Sequence, residues 1–65
     1  MTRREKLDYI AACVETAREE EVLMDEWDKW RSEGGICPKG IPNKSFVREN
    51  LLNAARAAFR LAREL

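Results

Sequence analysis

Residues 30–46 read WRSEGGICPKGIPNKSF and hold all three glycines and both prolines of the 65-residue chain. Glycine and proline interrupt regular secondary structure, and the segments on both sides contain neither of them. The stretch therefore predicts one loop that reverses the chain between two helices. Within it, the four residues Cys37 to Gly40 fit a type I turn, which favours proline in second place and glycine in fourth.

The segment before this loop predicts a helix over residues 3–32. Thr2 and Glu5 match a capping box, in which each side chain accepts a hydrogen bond from the backbone N–H of the other. Gly34 and Gly35 supply the end signal. Apolar residues then recur at helical spacing, at Leu7, Ile10, Val14 and Ala17.

The segment after the loop predicts a second helix over residues 43–64, with Asn43 as its N-cap. This segment is rich in Ala, Leu and Arg, which are strong helix formers. One row of apolar residues comprises Val47, Leu51, Ala54, Ala58, Leu61 and Leu65, and an adjacent row comprises Leu52, Ala55, Phe59 and Ala62. Together the rows span about half of the circumference, more than the roughly 100° of an ordinary surface helix.

We therefore predict an all-α fold with a single domain over residues 1–65, a two-helix antiparallel hairpin joined by a loop over 33–42. Two helices cannot cover so wide an apolar arc, and a chain of this length builds only a marginal core. We expect two hairpins to form a homodimer, a four-helix bundle. The residues expected at this oligomer interface are Leu7, Ile10, Val14, Leu52 and Phe59.

The composition excludes several classes of function. The chain has no histidine, and so lacks the commonest general base and a common zinc ligand. No segment is long and apolar enough for a signal peptide or a transmembrane helix, and Cys13 and Cys37 are expected far apart in the hairpin. We expect a cytoplasmic protein that is not an enzyme and has no cofactor, metal site, disulfide or membrane contact.

The charges are divided unevenly along the chain although the formal net charge is zero. Residues 15–28 contain seven acidic residues and one basic residue, whereas residues 39–65 contain six basic and two acidic residues. Opposite charges attract when such segments fold side by side. We therefore expect Glu20 and Glu21 to approach the arginines of the second helix.

The loop region also concentrates aromatic and branched apolar residues, a composition enriched in binding hot spots. Ile36 and Ile41 are expected to fold back onto Trp27, Trp30 and Phe46. These five residues either seal the loop end of the hairpin or form a surface for a partner protein, and the sequence leaves both open. The function expected is a non-enzymatic, oligomeric interaction protein that binds and regulates or inhibits a partner protein.

Two alternative functions depend on the basic residues of the second helix, Arg48, Arg56, Arg60 and Arg63. Spacings of four and three place the last three on one helical face. Such a face can contact nucleic-acid phosphates, or arginines at an interface can clamp a small anionic nucleotide. The alternatives are thus a nucleic-acid-binding regulator and an oligomer that sequesters a nucleotide.

The layout of a short helical hairpin that opens on Thr2-Arg3-Arg4-Glu5-Lys6 resembles the plasmid-encoded Rop-type RNA-binding hairpins, which dimerise into four-helix bundles. The resemblance covers the whole chain in length and layout, and it implies a dimer. The heptad layout departs from the Rop pattern, so no RNA-binding residues are transferred. In size and shape the chain is also similar to small phage-encoded helical hairpins, some of which inhibit host proteins or sequester signalling nucleotides.

Overall fold

The computed structural model describes all 65 residues and contains two α-helices, α1 (Arg3–Glu33) and α2 (Lys44–Arg63). The helices pack against each other over an elongated body of 50 × 17 × 14 Å. Lys6 near the start of α1 pairs with Glu64 just after α2, so the helices are antiparallel. The expected all-α hairpin is confirmed. The observed helices differ from the ranges 3–32 and 43–64 by one residue at three of the four ends.

Both helix starts depend on local hydrogen bonds. The Thr2 hydroxyl accepts from the Glu5 N–H at 3.2 Å, and the Glu5 carboxylate accepts from the Thr2 N–H at 3.1 Å. The Asn43 side chain accepts from the Phe46 N–H at 3.2 Å. Each bond satisfies a backbone donor that has no partner inside the helix. The capping side chains thus set where α1 and α2 begin.

The end of α1 is set by Gly34, whose N–H donates to the Trp30 carbonyl at 2.8 Å. Gly34 has a φ of 77°, which glycine adopts without the strain that a Cβ would bring. The turn expected at Cys37 to Gly40 is a pair of bends, and no backbone hydrogen bond closes it. The chain reverses over ten loop residues instead of one tight turn.

The two helices meet along a helix–helix seam whose residues recur at alternating steps of three and four. Its half-buried and buried members are Lys6, Ile10, Cys13, Ala17, Glu20, Met24 and Trp27 on α1 and Val47, Asn50, Ala54, Ala57 and Leu61 on α2, which Glu64 extends. Such spacing keeps one narrow line of each helix toward its neighbour. Cysteine and alanines at its centre let the two backbones come close.

The seam gives the hairpin a very small core. Five of the 65 residues are buried, namely Cys13, Ala17, Val47, Ala54 and Leu61, and no side chain is fully enclosed. The apolar rows expected from the sequence are therefore split by the structure. Ala17 is buried and Ile10 is half-buried in the seam, whereas the other members of the first row, Leu7 and Val14, face solvent.

Charged contacts between the helices are few. Lys6–Glu64 is the one ion pair that joins α1 to α2. Glu20 forms no ion pair, and its carboxylate accepts from the Asn43 backbone N–H at 3.2 Å. Glu21 and Arg48 line one shallow cleft without an ion pair between them. Glu21 thus approaches an arginine of α2 as expected, whereas Glu20 lies in the seam and accepts from the start of α2 instead. Neither helix is long and apolar enough to cross a membrane.

Candidate interaction surfaces

One long side of the hairpin exposes large apolar side chains from both helices. We call this set the apolar face: Leu7 (54% exposed), Val14 (47%), Leu51 (48%), Leu52 (43%), Phe59 (65%) and Leu65 (83%). Small exposed alanines at positions 55, 58 and 62 lie between the members on α2. A contiguous exposed apolar surface of this kind is a signature of an interaction site.

The apolar face is continuous across the helices because of its position relative to the seam. Leu7 and Val14 each follow a seam residue directly, as does Leu51 on α2. In an antiparallel pair, residues one position beyond the seam lie on the same side of both helices. Glu21, seven residues after Val14, indeed lines a cleft together with Leu51 and Leu52. Leu51 and Leu52 of α2 therefore lie on the same side of the hairpin as Glu21 of α1.

Four of the five residues expected at the oligomer interface belong to this surface: Leu7, Val14, Leu52 and Phe59. The fifth, Ile10, is half-buried and lies in the seam between α1 and α2. Sequence reasoning missed Leu51 and Leu65, which it assigned to the same row as the buried Val47. Their signal was the seven-residue spacing of positions 51, 58 and 65, which separates them from the row at 47, 54 and 61.

The solvent-accessible surface of the hairpin is larger than that expected for a compact protein of the same mass. Its accessible surface is 5466 Å², whereas a compact monomer of 7.6 kDa is expected to expose about 4300 Å². The excess is roughly 1200 Å², more than the roughly 800 Å² that each partner contributes to a standard protein–protein interface. The surface available for association is therefore ample.

The loop end is organised by the two tryptophans of α1. The Trp27 indole N–H donates to the Gly40 carbonyl at 2.8 Å, and the Trp30 indole N–H donates to the Gly35 carbonyl at 3.3 Å. The rings contact each other edge to face, with centroids 5.5 Å apart, a favourable arrangement for aromatic pairs. Both indoles are half-buried, and together they bind the loop backbone to α1.

The isoleucines of the loop do not take part in this arrangement. Ile36 is 96% exposed and Ile41 is 85% exposed, so the expectation that they fold back onto the tryptophans is wrong. The indoles bind the carbonyls of Gly35 and Gly40, and this backbone contact holds each neighbouring isoleucine outward. Phe46, at the start of α2, is 43% exposed. The loop end thus combines two anchored tryptophans with three exposed apolar side chains.

A cleft of about 660 Å³ lies beside Trp27 at this end. We call it the loop-end cleft, and its apolar lining is Met24, Trp27, Ile41 and Pro42. Its charged lining is Glu21, Asp28, Arg31 and Lys44, of which Asp28 and Arg31 form an ion pair at 2.9 Å. A concave apolar floor with charges of both signs at its rim is suited to a peptide segment more than to a single small anion.

The four arginines considered for anion binding do not converge on one site. Arg48 lines the cleft that also contains Glu21, and Arg60 lines another with Tyr9 and Glu64. The Arg63 guanidinium lies over the Phe59 ring, 5.8 Å from its centroid. Arg56, the fourth, forms no ion pair. Arg48 and Arg60 therefore line two different clefts, and no cleft is lined by all four arginines.

The ion pair between Lys6 and Glu64 affects the titration of the carboxylate. The hydrogen bond from Lys6 lowers the pKa of Glu64, with a smaller contribution from the charge of Lys6. Cys13 is buried and Cys37 is exposed, and both thiols are free. No group of three or more Cys, Asp or Glu side chains is arranged to hold a metal ion.

The chain was also compared with known proteins. No protein-family model, curated protein or solved structure matches it.

Proposed function

We propose that this chain is a non-enzymatic interaction protein that dimerises through its apolar face into a four-helix bundle. The exposure of six large apolar side chains on one side of the hairpin carries the proposal. Burial of apolar surface is the main driving force of association, and the broad side of the hairpin can supply an interface of standard size. The dimer would provide the core that a single hairpin lacks.

The proposal includes a second surface at the loop end, which binds a partner protein and thereby regulates or inhibits it. The Ile36 and Ile41 side chains are almost fully exposed, so they contribute little to the packing of the hairpin. Phe46, nearby, is about half exposed. The tryptophan hydrogen bonds hold the loop backbone in place, so binding orders few additional residues. Preorganisation of this kind lowers the entropic cost of association.

Sedimentation equilibrium of the purified chain tests the first part. A dimer whose dissociation constant rises steeply in Leu52→Asp is the expected result, because a carboxylate on the apolar face would be buried without a partner. A chain that remains a monomer at all accessible concentrations would refute the bundle.

Affinity capture with the double variant Ile36→Ser/Ile41→Ser tests the second part. Both side chains are already exposed, so the variant is expected to fold and dimerise as the wild type does. A protein retained by the wild type and by Tyr9→Ala, at the opposite end of the hairpin, should be lost by the double variant. Equal capture by all three chains would show that the loop end is not the binding surface.

A further inference from the structure

A cleft lies at the end of the hairpin opposite the loop, between the start of α1 and the end of α2. We call it the terminal cleft. Its volume is about 470 Å³, and its lining is Met1, Lys6, Tyr9, Ala57, Arg60 and Glu64. Small-molecule sites typically measure roughly 300–1,000 Å³, so the terminal cleft has the size of such a site. One hairpin forms it alone, and it shares no residue with the apolar face.

The charged groups of the terminal cleft leave one cation without a partner. Its one carboxylate, Glu64, already accepts a hydrogen bond from Lys6. Arg60 forms no ion pair, so its guanidinium is free to bind an anion. The Lys6 ammonium has three donors, of which the bond to Glu64 uses one. Lys6 and Arg60 are therefore both able to donate to an anionic group in the cleft.

The surroundings of the terminal cleft are positively charged. Residues 1–8 and 56–65, which form this end of the hairpin, contain six basic and three acidic residues. The titration of Glu64 reports this environment. The hydrogen bond from Lys6 lowers the pKa of Glu64, and the charges of Lys6 and Arg3 lower it further. Because nearby positive charges favour the ionised form of a carboxylate, they also favour an anionic group on a ligand.

Tyr9 gives the terminal cleft an aromatic wall. Its side chain is 43% exposed, so the hairpin covers the ring only in part. Aromatic rings pack favourably against one another in offset or edge-to-face arrangements. Tyr9 belongs to α1 and Arg60 to α2, so a ligand that contacts both residues binds across the two helices.

The geometry points to a binding site for a small molecule that combines an aromatic ring with one anionic group, a carboxylate or a phosphate. The ring lies against Tyr9, and the anionic group accepts hydrogen bonds from Arg60 and Lys6. A purely apolar ligand would cover the Arg60 guanidinium without a partner, which is costly. A cationic ligand would meet a carboxylate that is already paired. The site does not require the proposed dimer, so the two are tested separately.

Nuclear magnetic resonance titration of the isotope-labelled chain tests the site with two probes. Adenosine monophosphate joins an aromatic ring to a phosphate, and indoleacetate joins one to a carboxylate. We expect saturable shifts of the Lys6, Tyr9 and Arg60 amide signals with at least one probe, and the probe that binds identifies the anionic group. No saturable binding of either probe at millimolar concentrations would overturn the proposal.

Adenosine and inorganic phosphate are the matched control ligands, because each supplies one half of the first probe, and indole and acetate do the same for the second. Each half is expected to bind at least about tenfold more weakly than the whole probe, since it loses either the charged hydrogen bonds or the aromatic contact. A neutral half that binds as tightly as the whole probe would show that the anionic group is not recognised, and would overturn the proposal.

Substitutions on the two helices complete the test. Arg60→Gln should weaken binding by about tenfold, because it removes a hydrogen bond to a charged group. Arg48→Gln is the matched control, since Arg48 lines a different cleft, and it should bind as the wild type does. Both arginines are exposed, so both variants are expected to keep the helix content of the wild type in circular dichroism. Equal affinities of the two variants would overturn the site.

Discussion

Replacing Phe59 by alanine tests the apolar face at its most exposed ring. Phe59 is 65% exposed in the hairpin, so the packing of one chain loses little when the ring is removed. An aromatic side chain buries about 200 Å² when enclosed, which leaves about 130 Å² of Phe59 for a second chain to cover. At about 25 cal/mol per Å² this burial is worth about 3 kcal/mol per chain.

Because alanine retains a methyl group, the expected loss of association free energy is about 2 kcal/mol per chain, or about 4 kcal/mol for the symmetric dimer. The dissociation constant of Phe59→Ala should therefore rise by about a thousandfold. Sedimentation equilibrium over a wide concentration range measures this directly. Tyr9→Ala is the control, because Tyr9 is an exposed aromatic residue (43%) that lines a cleft with Arg60 and Glu64, away from the apolar face.

A Phe59→Ala chain that dimerises with the wild-type dissociation constant would refute the reasoning. It would show that the ring stays in solvent and that the apolar face is not the interface. An equal loss in Tyr9→Ala would refute it differently, since it would show that truncation of any exposed aromatic side chain weakens the dimer.

Three further predictions concern the hairpin itself. The lowered pKa of Glu64 means that its pairing with Lys6 stabilises the fold above the ordinary glutamate pKa of about 4.3, and this stability is lost as the pH falls through the lower folded value. Urea unfolding of Glu64→Gln at several pH values should therefore lack this part of the acid dependence. A pH profile of stability unchanged from the wild type would contradict this prediction. Thr2→Ala should cost about 1 kcal/mol of stability through loss of the α1 cap, measured by thermal unfolding, whereas Thr2→Ser should restore it. Trp27→Phe should cost about 1 kcal/mol because the Gly40 carbonyl loses its donor; chemical denaturation with no change in the midpoint would show that water replaces the bond.

The bounds of the helices were predictable from the sequence because short local signals determine them. Thr2 with Glu5, Asn43, and Gly34 act through hydrogen bonds to residues three or four positions away. Such interactions depend on neighbouring residues alone, so the sequence contains all of the necessary information. The confirmed hairpin follows from them, since a loop of ten residues lets the helices return side by side.

The contacts of the loop and of the charged residues were not predictable in the same way. Ile36 and Ile41 were expected to be covered because they are apolar, but the indole N–H groups compete for the loop backbone and the isoleucines remain outside. Glu20 was expected to approach an arginine, yet its carboxylate accepts a hydrogen bond from the Asn43 backbone N–H. In both cases a hydrogen bond to the backbone replaces the side-chain contact that the residue types suggested. Which backbone group lies within hydrogen-bonding distance depends on the three-dimensional path of the loop.

The division of the apolar residues between the seam and the apolar face was also not predictable from the sequence. Val47 and Leu51 lie one helical turn apart and look equivalent in a row of apolar positions, but the structure buries the first and exposes the second. The packing against α1 determines which of them is buried, because the alanine and cysteine in the seam of α1 leave room for only one narrow line of α2 residues. Whether the exposed line is covered by a second chain stays a prediction.

The edge-to-face contact of Trp27 and Trp30 also gives the molecule a spectroscopic signal of its own. Two indoles 5.5 Å apart and nearly perpendicular are placed for exciton coupling, which appears as a paired positive and negative band in circular dichroism. The chain has no other tryptophan, so this signal and the indole fluorescence come from the loop end alone. The state of the loop end can thus be followed in the unlabelled chain, separately from association along the helices.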